Sequence, residues 1–199
     1  MATESQRRHV HTRSIRVDAY ARDDGLWDVE AVLVDTKSRD LQLASGLRAA
    51  GNPIHEMRLQ VTVDRDLTVQ DASAVTTWVP YPGHCNQIEP EYKRLIGLNL
   101  ARDFRRNVRE RLGGVRGCTH LSELAGVLPT AAIQGFAGEV KRDDPAQPER
   151  KPFQLDHCHA LATTGPAVAI FYPRWYRGTE PTKGKPTTGS SDSEQGETR

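Results

Sequence analysis

The stretch "RLGGVRGCTHLSEL", residues 111–124, sets Cys118 and His120 beside Gly113, Gly114 and Gly117, at the seam between two segments with helical periodicity. His9 and His11 lie near the N-terminus; the other imidazoles and thiols gather at four places: His55 in "GNPIHEM", His84 and Cys85 in "YPGHC", Cys118 and His120 in "GCTH", and His157, Cys158 and His159 in "DHCH". The first three places fall where an element begins or ends, in Gly/Pro-rich sequence that lets the backbone approach a ligand closely. Imidazole and thiolate groups from two loops plus a thiol at a helix start can close a tetrahedral metal site. The same helix start favours a thiolate, so Cys118 is equally placed to be a nucleophile with His120 or His84 as base. Against both stands packing: free cysteine is among the most buried residue types, and the chain has no C-x-x-C or H-E-x-x-H pattern.

The remaining polar residues point to structure. In "DHCH" an alternating strand would direct His157 and His159 to one face and Cys158 to the other, which gives Cys158 a packing role. Asp23 and Asp24 suit a turn, and Asp28 and Glu30 the solvent face of a strand. Neither "RLGGVRG" nor "ASGLRAAGNP" follows a phosphate-loop or dinucleotide fingerprint.

The elements that must position these groups follow from periodicity. "RSIRVDAYARDDGLWDVEAVLVDTK" alternates on both sides of an Asp-Gly turn and predicts an antiparallel hairpin with Trp27, Val29, Ala31 and Leu33 on one face. "MRLQVTVDRDLTVQDASAVTTWV" predicts a second pair, with Leu59, Val61 and Val63 opposite Leu67, Val69 and Ala72, and the four strands make a meander. After Pro82 the period changes: Leu100, Phe104, Val108 and Leu112 stand four apart, an amphipathic helix ended by a glycine pair. A second stripe, Leu121, Leu124, Leu128 and Ala132, predicts a helix capped by Thr119 or Ser122 and interrupted at Pro129. "KPFQLDHCHALATTGPAVAIFYPRWY" reads as a last hairpin at the sheet edge, turning at "TTGP".

Composition narrows the class. The chain has 199 residues, a formal net charge of +1 and three cysteines. One core fits that length, the balanced charge gives no nucleic-acid footprint, and "RDFRRNVRER" reads as a solvated helix face. No segment approaches a membrane span or a signal peptide, so the expected setting is the cytoplasm without a membrane partner. The expected layout is a flexible N-terminus over 1–10, one α+β domain over 11–176, and a disordered tail over 177–199.

Two resemblances add to this reading. From "HTRSIRVDAYARDDGLWDVEAVLVDTK" through "PIHEMRLQVTVD", "YPGHC" and "FRRNVRERLGGVRGCTHLSEL", the chain resembles a bacterial family known only as a domain of unknown function, DUF2889, which implies no reaction. "GNPIHEMRLQVTVDRDLTVQDASAVTTW" is also similar to the strand pair of the U-type iron–sulfur cluster assembly scaffolds. Those scaffolds hold zinc or a cluster with three cysteines and an aspartate. Aligning Met57-Arg58-Leu59-Gln60 puts His55 at the aspartate, Cys85 near the second cysteine and Cys118 near the third. The first cysteine has no counterpart, and Gly117 stands where the scaffolds have histidine.

The resulting expectation is an α+β fold like those scaffolds, an antiparallel meander with helices packed on one face. His55, Cys85 and Cys118 would hold zinc or a mononuclear iron, with His84 or His120 as fourth ligand or base acting on a small substrate. The alternatives are a metal-free thiol enzyme with Cys118 attacking an acyl or thioester group, and a non-catalytic protein that meets a partner.

Overall fold

A computed structural model of the chain describes residues 5–137, 151–152 and 154–178; the expected flexible ends lie partly outside them, at 1–4 and 179–199. The chain forms two compact units, Met1–Val140 and Lys141–Arg199.

The first unit is built on a four-stranded antiparallel sheet in the order β1 (His11–Ala21), β2 (Trp27–Lys37), β5 (Pro53–Val63), β6 (Val69–Trp78). A small hairpin, β3 (Leu41–Leu43) and β4 (Gly46–Arg48), rises between the two central strands. The two-residue period of β2 does what alternation requires: Trp27, Val29, Ala31 and Leu33 are buried on one face. Met57, Leu59, Val61 and Val63 of β5 join them, and the return through Leu67, Val69 and Ala72 is buried as well. The expected meander with helices on one face is present.

That face is covered by α1 (Phe104–Leu112) and α2 (Thr119–Phe136). Helix α2 buries Leu121, Leu124, Ala125, Leu128, Ala132 and Phe136 and packs on β1, β2 and β5. Each fully buried leucine contributes about 1.5–3 kcal/mol. Phe136 stacks on Trp27, ring centroids 4.3 Å apart. Pro129 does not interrupt α2, because Leu128 and Ala132 on either side are fully buried, and their packing outweighs one missing backbone bond. Nor does Thr119 or Ser122 cap it: Cys118 is the N-cap residue, with no side-chain bond.

The long first helix expected from Leu100 to Leu112 is shorter. Cys85–Leu95 is a 3-10 segment containing Pro90, and α1 starts only at Phe104. Between them the backbone pairs with the start of β6: Val69 N donates to Leu98 O at 2.8 Å, Gly97 N to Val69 O at 2.8 Å, and Leu100 N to Leu67 O at 2.9 Å. Leu98 and Leu100 are still buried, as side chains of a segment of turns and isolated bridges.

Among the described residues of the second unit, the hairpin expected over 151–176 is absent. His159–Leu161 and Pro173–Trp175 are 3-10 turns, and Pro166–Phe171 is a short helix, α3. Gly165 and Pro166 read as a turn are in fact a helix start, with Gly165 as N-cap and Pro166 in the first turn. His157, Cys158 and His159 are all exposed, so Cys158 does not have the packing role that strand alternation gave it.

Candidate metal centre

The row Arg13, Asp35, His55 crosses three neighbouring strands. Arg13 pairs with Asp35 between β1 and β2, and Asp35 with His55 between β2 and β5. All three share the parity of the buried face, one step beyond Leu33 and Met57. A register shift between Asp35 and Thr36 places a bulge at this position, a device that re-aims side chains at the end of a ladder. The start of α2 closes the row from above, bringing His120 and, three residues on, Glu123.

Asp35 is the hub, 2 % exposed. Its Oδ1 accepts from Arg13 Nε at 2.8 Å and lies 3.0 Å from His11 Nε2. Its Oδ2 accepts from Arg13 Nη2 at 2.7 Å, lies 3.1 Å from His55 Nδ1, and has His120 Nε2 at 3.8 Å. The His55 and His120 rings stack with centroids 3.9 Å apart. Arg13 Nη1 donates to Glu123 Oε2 at 2.6 Å, tying the row to α2. Cys118 Sγ stands 3.8 Å from His120 Nδ1 and 4.0 Å from Met57 Sδ.

The position of Cys118 is set by Tyr92, a fully buried side chain of the 3-10 segment. Its hydroxyl accepts from Cys118 N at 3.1 Å and donates to Cys118 O at 3.0 Å, doing for α2 what a capping side chain would do. Burial also raises the Tyr92 pKa, so the phenol stays neutral and can serve both bonds.

Electrostatics divide the cluster into one anion and two neutral imidazoles. Burial alone would raise the Asp35 pKa; the Arg13 hydrogen bonds and charge, with His11 and His55, outweigh it and hold it at about 2. His55 is pushed below the usual imidazole value by burial, with the Arg13 and His11 charges adding to that and Asp35 opposing. His120 is lowered by burial, then by the closeness of the His55 ring, which disfavours a second proton in the pair, and by the Arg13 charge.

Ligand-type atoms of Asp35, His55 and His120 all lie within 4.8 Å of one another. Metal bonds of about 2.0–2.2 Å place neighbouring donors about 3 Å apart, and the 3.1 Å and 3.8 Å contacts to Asp35 Oδ2 are close to that spacing.

Of the residues singled out by sequence, His55 and His120 belong to this group, and Cys118 sits next to it on the Nδ1 side of His120. Cys85 packs, partly buried, against the core, and His84 is exposed at the cap of the 3-10 segment; neither is among the three grouped residues. Of the expected set of His55, Cys85 and Cys118, His55 is in the three-residue group, Cys118 lies beside it, and Cys85 packs against the core. Asp35 is the residue that spacing missed. Its signal was present: counting by two along Trp27, Val29, Ala31 and Leu33 lands on a carboxylate at an inward position, where a charge needs a partner.

A family model described as a protein of unknown function, DUF2889, matches residues 11–134. No curated protein and no solved structure matches the chain.

Proposed function

The chain belongs to the DUF2889 family, which names no reaction, and from the site itself we propose that Asp35, His55 and His120 hold a divalent metal, zinc or mononuclear iron, in an enzyme acting on a small substrate. The carrying observation is the mutual approach of three donor atoms within 4.8 Å around a buried carboxylate. Two imidazoles with one carboxylate is a donor set of catalytic zinc and of non-haem iron. The likeness to the U-type scaffolds supports the same two places, the His55 loop and the start of the late helix, with His120 supplying the ligand there instead of Cys118.

A bound metal would activate water or polarise a carbonyl. The residues prepare for it. Arg13 keeps Asp35 ionised, and the lowered pKa values of His55 and His120 leave their nitrogen lone pairs free at neutral pH. Asp35, His55 and His120 would hold the ion, while Arg13 Nε and His11 keep their contacts to Asp35 Oδ1. Cys118 faces His120 Nδ1, which leaves Nε2 turned toward Asp35 and orients the ring as an outer partner of a ligating histidine does.

The test is metal content by mass spectrometry on untagged protein purified without chelator. Near-stoichiometric zinc or iron is expected in the wild type and in Cys85→Ala, and its loss in Asp35→Asn and in His120→Ala. Metal unchanged in both of the last two sinks the proposal.

A second reading has its own observation: Cys118 Sγ, the His120 ring and Asp35 stand in the order thiol, imidazole, carboxylate, with contacts of 3.8 Å and 3.8 Å. A thiol enzyme acting on an acyl or thioester group would show Cys118 alkylated by iodoacetamide faster than the exposed Cys158, and slowed in His120→Ala. Labelling led by Cys158 counts against it.

A further inference from the structure

On the side of α1 facing the 3-10 segment Cys85–Leu95, a hollow of about 500 Å³ is lined by Arg94, Glu110, Arg111 and Arg116. We propose that this hollow binds the phosphoryl group of a small phosphorylated compound.

The arginines are held in place by backbone. Arg111 Nη1 donates to Arg94 O at 2.6 Å and to Ile96 O at 3.2 Å, and Arg94 Nη1 donates back to Arg111 O at 3.2 Å. Arg116 Nη2 donates to Glu110 O at 3.0 Å. Each tether fixes one corner of a planar guanidinium. A fork with fewer rotamers to lose is preorganised for two-point binding of an oxyanion.

Carboxylates balance this charge only in part. Among the described residues, Arg111 and Arg116 have no ion pair. Arg94 reaches Glu91 at 3.3 Å, and Glu110 is drawn toward Arg106 at 3.9 Å. Three guanidinium groups thus face one lining carboxylate, Glu110, an excess of positive charge that an incoming anion relieves. The excess favours a doubly charged phosphoryl group over a single carboxylate. The net charge of +1 over the whole chain argues against a nucleic-acid track.

Inorganic pyrophosphate is the probe, titrated calorimetrically into the full chain at constant ionic strength, beside sulfate and a hexaglutamate peptide. Saturable binding at least tenfold tighter than sulfate, weakened at least tenfold in both Arg111→Gln and Arg116→Gln, supports the site. Arg116→Gln leaves the Arg94–Arg111 clasp intact, so a loss of folding in Arg111→Gln does not remove the test. Affinity equal to that for sulfate, or unchanged in Arg116→Gln, overturns it. So does tighter binding of hexaglutamate, which would make the surface a protein-docking one. Binding lost in Asp35→Asn but kept in Arg116→Gln would place pyrophosphate on the metal centre and also overturn it.

Discussion

Asp35 is a charge on the core face of a strand, and its ionisation is coupled to stability. Its pKa of about 2 lies below the ordinary value of 3.8, so the unfolded chain takes up the proton first as pH falls. The stabilisation is complete above about pH 4, amounts to about 2 kcal/mol, and is lost as pH falls toward 2. His55 and His120 act from higher pH: their lowered values mean that the unfolded chain protonates more readily below about pH 6.5. Urea midpoints of chelator-treated protein should therefore decline from below about 6.5, with a further fall below about 4. Asp35→Asn should flatten the second limb and lower stability at pH 7 by about 2 kcal/mol, since it removes the buried charge that Arg13 Nε and Nη2 hold and leaves Arg13 only Glu123. An unaltered acid limb in Asp35→Asn would show that the row of strand partners does not govern acid unfolding. Sequence reading found His55 and His120 because imidazoles in Gly/Pro-rich segments are conspicuous. It missed Asp35 because a carboxylate beside Thr36 and Lys37 at a strand end reads as solvated until the strand register, set by pairing far along the chain, is known.

At the level of elements, alternation identified four strands and the order in which they pair, since a period of two on adjacent segments leaves few arrangements. It failed where backbone bonds overrode side-chain spacing. Leu100 fits the helical stripe of Phe104, Val108 and Leu112, yet Gly97, Leu98 and Leu100 hydrogen-bond to the start of β6, and burial is satisfied either way. The start of α2 likewise depends on a residue that spacing could not assign, Tyr92. Tyr92→Phe should lower stability by about 1–3 kcal/mol, because Cys118 N is left with no acceptor, and should move the His120 ring resonances in NMR spectra; unchanged resonances would detach Tyr92 from the site. Two glycines of α2 give opposite expectations. A Cβ at Gly126 meets nothing within 4 Å, whereas one at Gly135 would come 2.6 Å from the Ala19 Cβ on β1. Gly126→Ala should raise stability by about 0.5–1 kcal/mol through helix propensity. Gly135→Ala should lower it by about 1–3 kcal/mol as α2 is pushed off the sheet. Thermal midpoints of the pair check both, and equal shifts would mean that α2 does not approach β1 this closely.

For the molecule as a whole, the family match over residues 11–134 and the compact unit Met1–Val140 nearly coincide. The continuous core also stays within that unit, running from Trp27 to Phe136. The residues of the proposed metal centre, from His11 to Glu123, and those of the arginine hollow, from Arg94 to Arg116, belong to it as well. A core that closes on itself needs no further segment to bury its apolar face. A chain ending at Val140 should therefore fold alone, with a single cooperative transition within about 5 °C of the full-length midpoint, the shift that about 1 kcal/mol gives for a domain of this size. It should also retain whatever metal the full chain carries, because no ligand is removed. Calorimetry and metal analysis on the two lengths side by side decide the matter. If the short chain folds but loses its metal, residues beyond Val140 complete the centre, and the three-residue donor set proposed for the full chain is too small. If it fails to fold, the core described from Trp27 to Phe136 is not self-sufficient, and one domain over 11–176 is the unit that folds.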